Sequence, residues 1–161
     1  RGSRVALIDL KLVEEAGFFR RTLECAVVKL VCEKAAVKEL SDDFVLALKA
    51  NLNQQDFYLE NPTPDKLMEL DNEFHHLLFS CVDKERCYRM CCDMGIHFDR
   101  IRHLALHTVK ELKIVGDHHD ILSAICACDA DRAYALMAAH LTRFEIDEKL
   151  IKNEYPEYFV N

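Results

Sequence analysis

The chain has 161 residues, 50% of them hydrophobic and 30% charged, with only 4 Gly and 3 Pro. That is one domain with room for a real core, and so few turn formers argue against a β-sandwich or barrel. A net charge of −7, with acids spread along the whole length, makes these residues a poor binder of a phosphate backbone.

No stretch approaches the roughly 20 apolar residues of a membrane span, and the N-terminus lacks the charged, apolar and small-residue order of a cleavable signal; a cytoplasmic location is expected, with no membrane partner. Arg1-Gly2-Ser3 reads as a tag remnant, leaving 4–161 as a single domain. Helical periodicity then runs from Leu10 to about Asn153. A first helix spans Leu10 to Lys38. Ser41 caps a second that runs to about Leu59, and Asn61-Pro62-Thr63-Pro64 is a loop whose Thr63 caps, and whose Pro64 opens, a third helix ending near Asp83. A fourth covers Lys84 to Val109 and a fifth Glu111 to Cys126. Asp129 caps a sixth that reaches Asn153. Short connections imply antiparallel neighbours, and the Tyr155-Pro156-Glu157-Tyr158-Phe159 tail, which cannot continue through proline, is expected to fold back on the bundle. The fold class is therefore all-α, an antiparallel bundle of six to seven helices.

Eight cysteines occur without a C-x-x-C pair, which excludes a zinc ribbon. Reduced thiols acting as small core hydrophobes are the expectation, and a disulfide between Cys87 and Cys91, one helical turn apart, would constrain little.

A helix turns 100° per residue, so sequence alone says which histidines lie on apolar faces. On the third helix the stripe is Leu67, Leu70, Phe74, Leu78 and Cys81. Asp71 and His75, four apart, lie together along its edge, while His76 points to the opposite side. His118 falls within the stripe of Val115, Ile121, Leu122 and Ile125. His140 is flanked by Ala133, Leu136, Met137, Phe144 and Ile151. Any one such histidine is more often a satisfied core residue than a ligand. Three imidazoles and a carboxylate on inward faces are another matter, because burying them without a shared partner costs several kcal/mol per group and a divalent cation satisfies all four. Three His nitrogens and one Asp oxygen suit Zn²⁺, with Ni²⁺ or another transition metal as alternatives, rather than Ca²⁺ or Mg²⁺.

Other constellations are weaker. Glu73-x-x-His76 is half of a di-iron motif that lacks its second copy, and both residues project away from the stripe. His103 and His107 lie off the stripe of Met90, Met94, Ile101 and Leu104 and read as a surface pair, whereas His97 falls near that stripe and is a candidate pocket residue. No nucleophile elbow, phosphate loop or dinucleotide fingerprint is present, so any enzymatic reading would rest on the metal alone.

These segments resemble the FCD effector-binding domain of GntR-type transcriptional regulators, in the branch of the fatty-acid-responsive regulator. The likeness rests on Leu70-Asp71-Asn72-Glu73-Phe74-His75, on His118-His119-Asp120-Ile121-Leu122-Ser123-Ala124-Ile125, and on Cys128-Asp129 through Met137-Ala138-Ala139-His140-Leu141, with Cys128 standing where the family usually has glycine. Ile8-Asp9-Leu10 and the helix after it look like the junction that follows the family's winged-helix domain, which implies that the DNA reader precedes this fragment. The resemblance implies a homodimer that binds operator DNA through that missing domain, a small organic-acid effector, and a divalent metal on Asp71, His75, His118 and His140. Arg100 and Arg102 are then candidates, with His97, for holding the effector's carboxylate, since arginine offers a planar fork matched to two oxygens. No catalytic residues are expected. The rival readings are a metal-dependent hydrolase or oxygenase on the same bundle, which needs a general base beside the metal, and a purely structural ion in an interaction domain.

Overall fold

The computed structural model describes residues 6–108 and 113–160, the side chains of 107–108 and 144–149 excepted. The expected tag remnant at 1–3 and the expected helix start at Glu111 lie outside the described residues, as do the side chains of His107 and Phe144. Among the described residues there are eight α-helices: α1 (Leu10–Ala36), α2 (Asp42–Glu60), α3 (Pro64–Cys81), α4 (Glu85–Met94), α5 (Ile96–Thr108), α6 (Ile114–Cys126), α7 (Ala130–Leu141) and α8 (Arg143–Glu154). No strand occurs among those residues beyond a single bridge between Ile8 and Phe159.

Helix starts follow the side-chain chemistry. Asp9, Ser41 and Asp129 each accept a backbone N–H of the first turn, from Lys11 at 2.9 Å, Phe44 at 3.2 Å and Arg132 at 3.0 Å. Pro64 opens α3 as expected, but Thr63 makes no side-chain cap; its hydroxyl donates back to the Asn61 carbonyl at 3.2 Å. Three helix ends share one device. Glu39 N–H reaches Lys34 O at 2.8 Å, Lys84 N–H reaches Phe79 O at 2.9 Å and Asp129 N–H reaches Ala124 O at 3.0 Å. The intervening Lys38, Asp83 and Cys128 take left-handed φ values of 57–58°. Glycine ordinarily fills that position, so Cys128 stands at a helix junction with a backbone that glycine would adopt freely.

Two expected helices are each divided. The fourth breaks at Gly95, whose N–H turns back to Cys92 O at 3.0 Å while its carbonyl accepts from Asp99 N–H at 2.7 Å and so starts α5. A Cβ at Gly95 would press on the Cys91 carbonyl at 3.0 Å, so the close turn favours glycine. With the helix broken there, Met90 and Met94 do not continue a stripe with Ile101 and are exposed; α4 buries Cys91 instead. The sixth breaks at Thr142, whose hydroxyl donates to the carbonyls of Ala139 at 2.9 Å and Ala138 at 3.2 Å and competes with the helical ladder.

The main core lies between α1, α2, α3, α6 and α7, where Val28, Leu48, Phe74, Ile121, Ile125 and Met137 are sealed from solvent. α1 and α7 run antiparallel, with Cys25 against the Tyr134 carbonyl and Lys29 paired with Asp131 at 3.1 Å. A second, smaller core joins Ile8, Val13 and Ala16 to Phe98, Ile101, Ile151 and Phe159. The C-terminal tail folds back to complete it: Ile8 N–H donates to Tyr158 O at 2.7 Å and Val160 N–H to Ile8 O at 2.9 Å.

Candidate metal centre

α3, α6 and α7 each carry an apolar stripe interrupted by one histidine, and packing these stripes together forces the three imidazoles to meet. His75 Nε2 and His118 Nε2 each lie 3.2 Å from His140 Nε2. Asp71, one turn before His75, places Oδ1 3.4 Å from His118 Nε2 and Oδ2 3.9 Å from His75 Nε2. All four residues are buried, and one ligand atom from each falls within 4.8 Å of the others. In a tetrahedral shell with metal bonds of about 2.0–2.2 Å, neighbouring ligand atoms are about 3.3–3.6 Å apart, close to the three shortest spacings here, 3.2, 3.2 and 3.4 Å.

The outer faces of the imidazoles explain why the inner faces carry lone pairs. His75 Nδ1 sits against Glu24 Oε2 on α1, His118 Nδ1 lies 2.8 Å from Gln55 Oε1 on α2, and His140 Nδ1 lies 3.3 Å from Asp117 Oδ2 on α6. Carboxylates only accept, so the nitrogens of His75 and His140 that face them carry the protons. For Gln55 the orientation follows from a chain of bonds. Asn51 Nδ2 donates to the Leu70 carbonyl at 3.0 Å, so its Oδ1 accepts from Gln55 Nε2 at 2.6 Å, leaving Gln55 Oε1 to accept from His118. With the single proton of each ring on its outer nitrogen, three Nε2 lone pairs would face one another. Nothing between them donates; a cation is the partner that this arrangement fits.

Electrostatics agree. Burial opposes ionisation of Asp71, but Arg102 and the three imidazoles outweigh it and hold the carboxyl below the usual carboxylate range. Burial likewise opposes charge on Glu24, yet Arg20 and His75 bring its carboxyl down to about 2. For His118, burial and then the neighbouring His140 push the imidazole well below 6.5, and burial lowers His75 in the same direction. The Asp71 and Glu24 carboxyls are thus held charged while burial disfavours the charged forms of His75 and His118, the protonation states that metal ligands require.

The other expected site residues separate. Arg102 reaches the cluster: Nη2 donates to Asp71 Oδ2 and to Asn72 Oδ1 at 2.9 Å, and Nη1 to Asp99 Oδ1 at 2.7 Å. Arg100 instead donates to the Ala6 carbonyl at 2.6 Å, and His97 Nδ1 accepts the Asp9 N–H at 3.1 Å. Both lie with the stretch that leads into α1. His76 lies tilted against Tyr88 with 4.7 Å between ring centroids, His103 pairs with Asp65 at 3.0 Å on the surface, and Glu73 accepts from Asn51 at 2.9 Å.

Glu24, Asn51, Gln55 and Asp117 were not singled out by periodicity, and neither were Arg20 and Arg143, which hold Glu24 and Asp117. A signal did exist for some. Glu24 interrupts the stripe of Val27, Val28 and Val31, and Asn51 and Gln55 flank Leu48 and Leu52 on the buried face of α2.

The FCD domain family matches the chain over residues 15–143. Across 160 residues the chain is 28% identical to the HTH-type transcriptional repressor RspR of Escherichia coli (strain K12), covering 99% of this chain and 68% of that protein. The uncharacterized HTH-type transcriptional regulator YdfH of Shigella flexneri matches to the same extent.

Proposed function

Because the chain belongs to the FCD domain family, a regulatory domain found in transcriptional regulators, we propose that it is the effector-sensing domain of a bacterial regulator, built around a divalent ion on Asp71, His75, His118 and His140. The observation that carries this reading is the convergence of three Nε2 atoms and one carboxylate, each imidazole fixed from behind by an oxygen. Zn²⁺ is the ion we favour, because a three-nitrogen, one-oxygen set in a closely spaced shell suits it.

When bound, such an ion supplies a Lewis-acidic partner for a small carboxylate. The chain's own contribution is to hold and orient. Arg102 sits beside Asp71 with a fork matched to carboxylate oxygens, and an acid arriving there would compete with Asp71, Asn72 and Asp99 for it. Arg100 and His97, bonded to the stretch before α1, are not assigned a contact in this scheme. Effector binding would then favour one bundle geometry and alter the spacing of two DNA-binding domains in a full-length homodimer.

Charge pairing favours sensing over catalysis. The carboxylates nearest the imidazoles, Glu24, Asp71 and Asp117, are each engaged by an arginine, whereas a hydrolase of this type needs one as a general base. The test is titration of the full-length protein on its operator with metal-coordinating acids. A shift in DNA affinity that disappears on chelation is expected; no shift with any such acid would contradict the proposal.

A further inference from the structure

α1 supplies none of the four candidate ligands, yet it touches the site at a deeply buried point, His75. Glu24 is 2% exposed and the one charged residue on the buried face of α1, whose other members are valines, cysteines, an alanine and a glycine, a place where a carboxylate is retained only if its charge is used. Its Oε2 lies against His75 Nδ1 and its Oε1 accepts from Arg20 Nε, while the Arg20 guanidinium lies over the Phe98 ring of α5, 5.5 Å from its centroid. The three outer partners are unequal. Gln55 is a neutral amide, and Asp117, at 3.3 Å, divides its charge between His140 and both nitrogens of the Arg143 fork. Glu24 likewise shares its charge with Arg20, but it is the more deeply buried of the two carboxylates and makes the closer contact with its imidazole.

We infer that Glu24 is a positioning residue through which a bound divalent ion clamps α1 to the ligand-bearing helices α3, α6 and α7. The inference rests on the metal-site reading given above. An ion on His75 Nε2 would withdraw electron density from the ring and make Nδ1–H a stronger donor, strengthening its contact with the Glu24 carboxylate, whose Oε2 has no other partner among the described residues. By reciprocity the carboxylate makes Nε2 a better ligand, so ion affinity and the attachment of α1 are two faces of one coupling. If Glu24 and Arg20 were merely an i,i+4 ion pair of the core, the attachment of α1 would be indifferent to the ion.

The experiment uses the chain with Zn²⁺ as the probe, measuring affinity by competition with a chromophoric chelator and protection by amide hydrogen exchange. In the wild type, Zn²⁺ is expected to slow exchange in α3, α6 and α7 and also across residues 20–28 of α1. Glu24→Gln should weaken Zn²⁺ binding about 10–100-fold. At saturating Zn²⁺ it should also lose the added protection of 20–28 while keeping that of the ligand helices. Unchanged affinity together with wild-type protection of α1 overturns this inference and leaves the metal site standing. Absence of Zn²⁺ binding by the wild type overturns both. Should Glu24→Gln fail to give a helical far-UV spectrum, the double variant Arg20→Gln/Glu24→Gln, which removes both charges, carries the same two readouts with the same expectations.

Discussion

The two cores of this bundle are built on opposite terms. The smaller one, where the start of α1 meets α5, α8 and the folded-back tail, is closed by Ile8, Val13, Phe98, Ile101, Ile151 and Phe159 without a buried polar side chain among the described residues. The larger one contains Glu24, Asn51, Gln55, Asp71, His75, His118 and His140, all buried and all joined in one network. An apolar core is stable by itself, whereas a polar network converging on lone pairs depends on what it binds. The contrast teaches that one end of the molecule is closed by apolar packing alone, while the other buries a polar network whose stability, on the metal-site proposal, would depend on occupancy.

Cavity-forming substitutions give the largest effects and separate the two ends. Phe74 is fully buried and stacks on His118 with centroids 4.0 Å apart, so Phe74→Ala should cost about 3–5 kcal/mol of unfolding free energy and also weaken Zn²⁺ binding. Ile151→Ala, in the smaller core, should cost about 2–5 kcal/mol and leave Zn²⁺ affinity within twofold of wild type. Denaturant unfolding with parallel metal titration checks both, and equal loss of metal affinity in the two variants would erase the distinction.

Metal removal comes next. Zn²⁺ at a hundred times its Kd should stabilise the protein by roughly 2.7 kcal/mol, an increment that chelation abolishes and that Ile151→Ala retains. Thermal scans with and without chelator measure it.

Acid should act on the polar end only. In the folded, metal-free protein His118 stays neutral well below pH 6.5, while the unfolded chain takes up that proton near 6.5. Stability from this source is therefore complete above pH 6.5 and declines as pH falls below it. The depressed carboxyl of Glu24 has the opposite origin and the same outcome: its contribution is present above 4.5, the unfolded value, and is lost as pH falls toward about 2. Urea midpoints of the chelated protein should drop from pH 7.5 to 5 and again below 4.5; a flat profile down to pH 5 would contradict the neutral state assigned to His118.

The smallest expected effect is a gain. Cys128→Gly relieves a left-handed residue at the α6–α7 junction and should add about 1 kcal/mol, equally in the metal-free and metal-loaded protein.

Much of this contrast can be traced in the sequence, and its omissions have physical causes. A histidine within an apolar stripe declares its direction because helix geometry fixes it, which is why Asp71, His75, His118 and His140 were identifiable before their distances were known. The caps Ser41 and Asp129 were legible for the same reason: a short side chain reaches its own backbone. The breaks at Gly95 and Thr142 were not, because apolar residues continue on both sides and the decision falls to single local hydrogen bonds. Gln55 and Glu24 were missed because a polar residue on a buried face acquires meaning only from its partner, and His118 and His75 lie 63 and 51 positions away in sequence. Arg102 was found through a likeness of family rather than through its position on the helix, and the Asp71 it holds comes from another helix.

The most direct test of the central claim is native mass spectrometry of the purified chain with elemental analysis, compared with the His140→Ala variant. One divalent transition-metal ion per chain in the wild type, absent from the variant while its helical content is retained, is the predicted result. A wild-type chain that takes up no ion when supplied with Zn²⁺, or a His140→Ala chain that binds as tightly as wild type, would contradict the account.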